Sequence, residues 1–232
     1  MSDDPDPDGM PSALVVCRAF LTRAPLTGAA FTVMSSDVMR DTVCASDEVI
    51  AEITAVQYRL GEGPALAAFT TRRPVLIPDL AAPAAAARWP VFTAEAAALP
   101  VGALFAFPMQ LGAITVGVCD GYRTQAGALT GPQVATALRG VDVATVSLLS
   151  VRASAPGDDP DPNWLDGHGS NRQRVHQATG MLVAQLGVSA EQAFARLRAH
   201  AYTDGRSLDE IAADIVERRL RLDSDPTQPD PT

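Results

Sequence analysis

The sequence contains no lysine: all 18 of its basic residues are arginine, against 27 acidic residues, and the net charge is −9. Any anion-binding site in this chain must therefore use arginine, which can donate two parallel hydrogen bonds. No apolar run approaches the roughly 20 residues of a membrane-spanning helix. The first nine residues include four aspartates and no basic residue, so they lack the positive start of a secretory signal.

Cysteine and histidine are also scarce. Three widely spaced cysteines, an odd number, argue against a disulfide framework or a zinc site and fit a reduced cytoplasmic setting (Cys17, Cys44 and Cys119). All three histidines fall at position 168 or later, which excludes a histidine-ligated haem in residues 1–167. We expect no metal and no cofactor.

Enzyme signatures are missing as well. The sequence has no P-loop, no GxGxxG, no HExxH and no GxSxG motif. Residues 61–64 (GEGP) could suggest a phosphate cradle, but no basic residue follows them, so a turn that stops a helix is the favoured interpretation. We therefore expect a protein that is not an enzyme.

Composition divides the chain into two folded units. Residues 1–11 and 223–232 are rich in Asp and Pro and are predicted to be disordered tails. Residues 153–169 are rich in turn formers and acid and are predicted to be a linker. The two domains are then residues 12–152 and 170–222. Residues 1–171 carry 10 arginines and 18 acidic residues, whereas residues 172–221 carry 8 arginines and 6 acidic residues.

The first unit mixes helical and strand periodicity, which predicts an α+β domain with a mainly antiparallel sheet flanked by helices. The predicted helices are residues 12–23, 47–60, 89–99 and 130–151, and the predicted strands are residues 28–34, 42–45, 74–78, 101–109 and 113–119, the last two joined by a turn at 110–112. Four aromatic residues fit either a ligand pocket or a simple core: Trp89, Phe92, Phe105 and Phe107.

The sequence pattern of the second unit predicts three helices and no strand. The first helix covers residues 171–186 and stops at Gly187, a favourable position for glycine. The second starts at Ser189 and the third at Ser207, and each serine is followed three residues later by Gln192 or Glu210, the spacing of a capping box. Three short amphipathic helices can bury one shared core, so this unit is predicted to be all-α.

The arginines of the second unit indicate a nucleic-acid surface, with an ordinary solvated surface as the alternative. Six side chains are predicted to share one exposed face: Arg172, Arg174, Gln177, Arg198, Tyr202 and Arg206. Tyr202 could stack on unpaired bases, and the start of the third helix could favour a phosphate behind Arg206. Three further arginines are predicted to close the third helix and to complement its dipole: Arg218, Arg219 and Arg221.

Three segments of the second unit resemble the ANTAR domain, a three-helix RNA-binding module of bacterial antitermination regulators. The segments are RVHQATGMLV from residue 174, LGVSAEQAFARLR from residue 186 and RSLDEIA from residue 206. The sequence departs from this family at Thr179, where lysine is usual. The resemblance implies binding to RNA hairpin loops, with Gln177, Arg198 and Arg206 as candidates for reading base edges.

The first unit resembles a GAF domain of the actinobacterial GAF–ANTAR type. The matching segments are QYRLGEGP from residue 57, VLIPDL from residue 75, Trp89-Pro90 and the strands after residue 101. At the GAF turn Ala65 stands where cysteine is frequent. The resemblance implies a sensory or dimerising domain, so we expect a homodimer that receives a small-molecule or protein signal at this unit.

Two other functions stay open. A three-helix unit with a short turn can mimic a helix-turn-helix that reads DNA, although the acidic residues of the third helix would face phosphates there. The unit could also be an interaction module that binds no nucleic acid.

Overall fold

The computed structural model describes residues 13–34, 40–153 and 169–222, and it describes side chains for residues 13–34, 41–150 and 174–222. The chain divides into two compact units, residues 1–160 and 161–232. The predicted tails lie outside the described residues, as does the predicted linker apart from its first and last residues. The disorder expected for these segments stays a prediction.

The first unit is built on a five-stranded sheet in the order β2-β1-β5-β4-β3, with every neighbouring pair antiparallel. The strands are β1 Gly28–Met34, β2 Arg40–Ala45, β3 Val75–Ile77, β4 Ala103–Leu111 and β5 Ile114–Arg123. All five predicted strands are present. The β4–β5 turn is Gly112-Ala113 rather than residues 110–112, because Leu111 pairs with Ile114 and Gly112 takes a left-handed φ of 60°.

Strand β5 also continues four residues past its predicted end at Cys119. Asp120 is the first residue of this continuation, is 1% exposed and would ordinarily end an apolar strand. It is tolerated because Gln57 Nε2 donates a hydrogen bond to Asp120 Oδ2 at 3.3 Å. The strand therefore runs on to Arg123.

Six described helices flank the sheet in this unit. They are α1 Ala13–Leu21, α2 Glu48–Leu60, α3 Pro64–Thr71, α4 Pro83–Arg88, α5 Pro90–Ala96 and α6 Gly131–Ala153. The predictions anticipated α1, α2 and α6, and the helix predicted over residues 89–99 corresponds to α5. Helices α3 and α4 were missed. Each of α3, α4 and α5 begins with proline, whose fixed φ suits the first turn of a helix.

The sheet separates two apolar cores. On one face, Phe105 and Phe107 pack with residues of α1 and α6, such as Phe20 and Val141. On the other face, residues of α2 to α5 pack against the alternate side chains of the same strands, such as Leu104. This division follows from strand geometry, since successive side chains point to opposite faces.

Within residues 169–222, the described part of the second unit, there are three helices, α7 Gly169–Leu186, α8 Ala190–Thr203 and α9 Leu208–Val216. Both predicted capping boxes are present, one joining Ser189 to Gln192 and the other joining Ser207 to Glu210. Leu182, Leu197 and Ile211, one from each helix, are fully buried in the shared core. The predicted fold class, an α+β unit followed by a three-helix unit, is confirmed. None of the described helices has the length and apolar character needed to cross a membrane.

Close packing between α1 and α6 gives a test of the first core. A Cβ atom added at Gly140 would lie 2.9 Å from a ring carbon of Phe20. We expect Gly140→Leu to lower the free energy of unfolding by about 1–3 kcal/mol, the usual effect of overpacking. Gly131→Leu is the matched control, because a Cβ there meets no atom within 4 Å. Denaturant unfolding curves check this, and equal losses in both variants would contradict it.

Candidate nucleic-acid interface

Helix α8 presents an arginine and an aromatic ring on consecutive turns. Arg198 lies four residues before Tyr202, so the two share one side of the helix. The guanidinium carbon of Arg198 is 4.9 Å from the centroid of the buried Phe194 ring, which holds the arginine against the helix. Tyr202 is 70% exposed. This pair combines a positioned cation with an open stacking surface.

The loop between α8 and α9 has its backbone fixed from both sides. Gly205, with a left-handed φ of 64°, donates to the Tyr202 carbonyl, and Arg206 N donates to the Ala201 carbonyl at 3.0 Å. These two bonds form a Schellman motif at the end of α8. The next residue, Ser207, is the N-cap of α9. The backbone of Arg206 therefore has little freedom.

The side chain of Arg206 is also engaged. Its Nη2 donates to Asp214 Oδ2 at 2.7 Å, and Arg219 Nε donates to Asp214 Oδ1 at 2.7 Å. These two hydrogen bonds hold the pKa of Asp214 below its ordinary value. The bond to Asp214, with smaller contributions from Glu210 and Asp204, raises the pKa of Arg206. Arg206 is thus an ion-paired arginine rather than a free cation.

The start of α9 differs from the prediction of a phosphate site. Ser207 N donates to Glu210 Oε2 at 2.9 Å, and Glu210 N donates to Ser207 Oγ at 3.2 Å. The hydrogen bonds from Ser207 lower the pKa of Glu210. Because a carboxylate already occupies this helix end, a phosphate would meet like charge there.

Helix α7 carries the other candidates. Arg174 and Gln177 are exposed, three residues apart, whereas Val175 and Ala178 are buried in the core of the unit. Arg172 lies in α7, and its side chain lies outside the described residues. The structure places Arg198, Tyr202 and Arg206 around the end of α8; that they form one surface with the α7 residues stays a prediction.

The three arginines predicted to close α9 lie just after its last residue, and two of them form its C-terminal cap. Helix α9 ends at Val216, with Glu217 as its C-cap. Arg218 then takes a left-handed φ of 60°, and Arg219 N donates to the Asp214 carbonyl at 2.7 Å. This is a second Schellman motif, with arginine at the position that favours glycine.

The left-handed residue after α9 yields a prediction on stability. Arg218→Gly removes the steric conflict of a side chain at positive φ, which costs about 1 kcal/mol. We expect hydrogen exchange of the α8 and α9 amides to slow about two- to fivefold in the full chain. Arg221→Gly is the control and should give no such gain. Unchanged or faster exchange in Arg218→Gly would show that this conformation carries no strain.

The four aromatic residues proposed for a ligand pocket do not share a cavity. Trp89 and Phe92 pack on the face covered by α2 to α5, whereas Phe105 and Phe107 pack on the face covered by α1 and α6. All four are buried. Since the sheet lies between the two pairs, the simple-core interpretation fits their positions.

Residues 57–65 connect α2 to α3 and hydrogen-bond the starts of α3 and α5. Only the end of α2 was predicted from the sequence. Gly61 ends α2 with a left-handed φ of 63°, which confirms the predicted helix stop. Gln57 Oε1 accepts from Ala65 N at 2.7 Å and so caps α3. Glu62 Oε1 accepts from Phe92 N at 2.6 Å in the first turn of α5. The side-chain oxygens of this segment therefore accept hydrogen bonds from the backbone at the starts of two helices. In a phosphate cradle, by contrast, backbone N–H groups would donate to the phosphate.

The three cysteines are buried on the face covered by α1 and α6. Cys17 Sγ donates to the Ala29 carbonyl at 3.3 Å. Hydrogen bonding to Cys44, with burial, raises the pKa of Cys17, and burial raises that of Cys119. Among the side chains that the structure describes, no group of three His, Cys, Asp or Glu residues could hold a metal ion.

The chain is similar over part of its length to several solved structures, and no curated protein matches the sequence. A domain of a two-component sensor histidine kinase from Sinorhizobium meliloti is 15% identical with a TM-score of 0.47, over 60% of this chain and 88% of that one. The GAF-B domain of DevS from Mycobacterium smegmatis is 18% identical with a TM-score of 0.44, over 61% of this chain and 93% of that one. The antiparallel sheet with helices on both faces agrees with the predicted α+β fold.

The second unit matches a known domain family. The match is to the ANTAR domain and covers residues 168–216, which include α7, α8 and α9. It contains both capping boxes and the candidates on α7 and α8. The three-helix unit of this chain therefore carries an ANTAR domain.

Proposed function

We propose that this protein is an RNA-binding regulator of transcription antitermination. Its ANTAR domain binds RNA hairpin loops, and its GAF-like unit acts as a sensor and dimerisation domain that receives a small-molecule or protein signal. The observation that carries the proposal is the match of residues 168–216 to the ANTAR domain.

The end of α8 supports recognition of unpaired bases. Hairpin loops expose bases that can stack on an aromatic ring and accept hydrogen bonds from arginine. Tyr202 offers an exposed ring, and Arg198 lies one turn away with its side chain held on Phe194. A ring that is 70% exposed adds little to the core and is open to stacking on a base.

Thr179, where the resembling family usually has lysine, is compatible with this surface. Its side chain is buried, and Thr179 Oγ1 donates to the Val175 carbonyl at 2.7 Å. The position therefore lies in the helical core, away from the exposed Arg174 and Gln177. Loss of the lysine leaves those two side chains and the α8 pair unaltered.

Helix α9 argues against DNA reading. A recognition helix in a major groove places its exposed residues near phosphates. Glu210 on α9 and Glu217 at its C-cap are exposed, and Asp214 on α9 forms ion pairs with two arginines. Carboxylates on this helix would meet phosphates of the same charge, so RNA loop recognition by α8 fits the unit better.

The first test of RNA binding is titration of a two-hairpin RNA selected from a library with randomised loops. We expect Arg198→Ala, Tyr202→Ala and Arg206→Ala each to weaken binding about 5- to 150-fold, the range for a lost base stack or base-edge contact. Arg218→Gly and Arg221→Ala are charge-matched controls outside this surface and should bind like wild type. Circular dichroism first confirms that each variant is folded.

Three outcomes separate the candidate functions. Preference for the two-hairpin RNA over duplex DNA supports the proposal. Preference for duplex DNA would replace it with DNA reading, and failure to bind either would leave an interaction module. Equal affinity of wild type and all three α8 and loop variants would show that this surface does not read RNA.

A homodimer through α1 and α6 is part of the proposal. The two helices pack together, with Phe20 lying against Gly140. Each leaves large apolar side chains exposed. The exposed fractions are 39% for Leu14 and 50% for Val15 on α1, and 66% for Val143 and 56% for Val146 on α6. A second copy related by a two-fold axis would cover these exposed side chains with its own.

The dimer has a direct test. We expect Val143→Glu with Val146→Glu to convert a dimer into a monomer, because the charged groups would be buried in the interface. Ile114→Glu is the matched control, since Ile114 is 65% exposed at the β4–β5 turn, away from both helices. Light scattering at micromolar concentration measures the mass. A wild-type mass equal to the chain mass of 24.3 kDa would contradict the dimer.

A further inference from the structure

Asp214 binds two arginines that follow two different helix ends. Arg206 is the last residue of the Schellman motif of α8, and Arg219 is the last residue of the corresponding motif of α9. Their guanidinium groups each lie 2.7 Å from a different oxygen of the same carboxylate. Arg219 also pairs with Glu217. The four side chains together carry no net charge.

Local neutrality changes what Arg206 can recognise. A phosphate is attracted chiefly by uncompensated positive charge. Asp214 compensates the charge of Arg206, and Glu210 and Asp204 lie close enough to add further negative potential. A phosphate that approaches Arg206 must therefore compete with one carboxylate and be repelled by two more. This environment disfavours a sequence-independent backbone contact.

Although Arg206 is paired with Asp214, its remaining N–H groups can still donate hydrogen bonds to uncharged acceptor atoms. A guanidinium has five N–H donors in a fixed plane, and the bond to Asp214 uses Nη2. The Arg206 side chain remains 39% exposed. A base edge with two neutral acceptors, such as O6 and N7 of guanine, can take parallel bonds from such a group without displacing the carboxylate.

We propose that Asp214 is a positioning residue that makes Arg206 a reader of a guanine edge in the RNA loop rather than a phosphate contact. The ion pair holds the guanidinium plane in one direction, and the two helix caps hold its backbone. Asp214 itself touches no RNA. This inference rests on the proposed RNA function and adds to it the chemical class of the contacted group.

The first experiment measures binding to poly-uridine, a single-stranded polyanion without guanine, over a range of salt concentrations. We expect Asp214→Asn to bind it several-fold more tightly than wild type, with a log–log salt slope steeper by about 0.7, the value of one added phosphate contact on a single strand. The gain should vanish in the double variant Arg206→Ala with Asp214→Asn. Asp214→Glu keeps the charge and should behave like wild type.

The second experiment repeats the loop selection with each full-chain variant. Wild type should enrich guanine at one loop position, and replacing that guanine by 7-deazaguanine, which lacks N7, should weaken binding. Arg206→Lys keeps the charge but lacks the planar fork, so it should lose the enrichment while retaining poly-uridine binding. Asp214→Asn should show weaker enrichment, and Arg221→Ala should match wild type.

The outcomes distinguish this inference from the function it rests on. If wild type enriches hairpins but Asp214→Asn selects the same loop with an unchanged poly-uridine slope, Asp214 does not position Arg206 and the inference is wrong. A poly-uridine gain that persists without Arg206 also overturns it. If wild type enriches no hairpin, the proposed RNA function is wrong, and the inference about Asp214 is wrong with it, whether or not poly-uridine binds.

Discussion

The fixed backbone between α8 and α9 is the constraint on which the candidate interface depends. Gly205 closes α8 in a left-handed conformation, and Ser207 opens α9 through its capping box with Glu210. Arg206 lies between these two caps and can move little. Every contact that we assign to it, with Asp214 or with a base, follows from that fixed position. The exposed Tyr202 lies in the last turn of α8.

In the interior of the first unit, too, helix ends are held by hydrogen bonds, here from polar side chains. Gln57 joins the start of α3 to the buried Asp120 of β5, and Glu62 binds the start of α5. A buried carboxylate is stable only when hydrogen bonds offset its lost hydration. Side chains of one short segment thus add specific hydrogen bonds to the apolar packing of α2 to α5 on this face of the sheet. The opposite face of the sheet is covered by α1 and α6.

Local signals were predictable from the sequence, and distant ones were not. Both capping boxes join residues three apart, so their spacing alone located α8 and α9. Helix α3 was missed because its cap comes from Gln57, eight residues away, and the end of β5 was misplaced because the partner of Asp120 is 63 residues away. The pairing of Arg206 with Asp214 was missed for the same reason: a charge pattern gives the number of arginines but not the partner of each.

We propose that this chain binds RNA hairpins within transcripts that end prematurely unless it is bound. The most direct measurement is crosslinking of the full-length protein to RNA in its native cells, followed by sequencing of the bound fragments. The account predicts fragments concentrated on pairs of adjacent stem-loops beside terminators, and loss of that concentration in the Tyr202→Ala variant. Fragments distributed in proportion to transcript abundance, the same in wild type and variant, would contradict it.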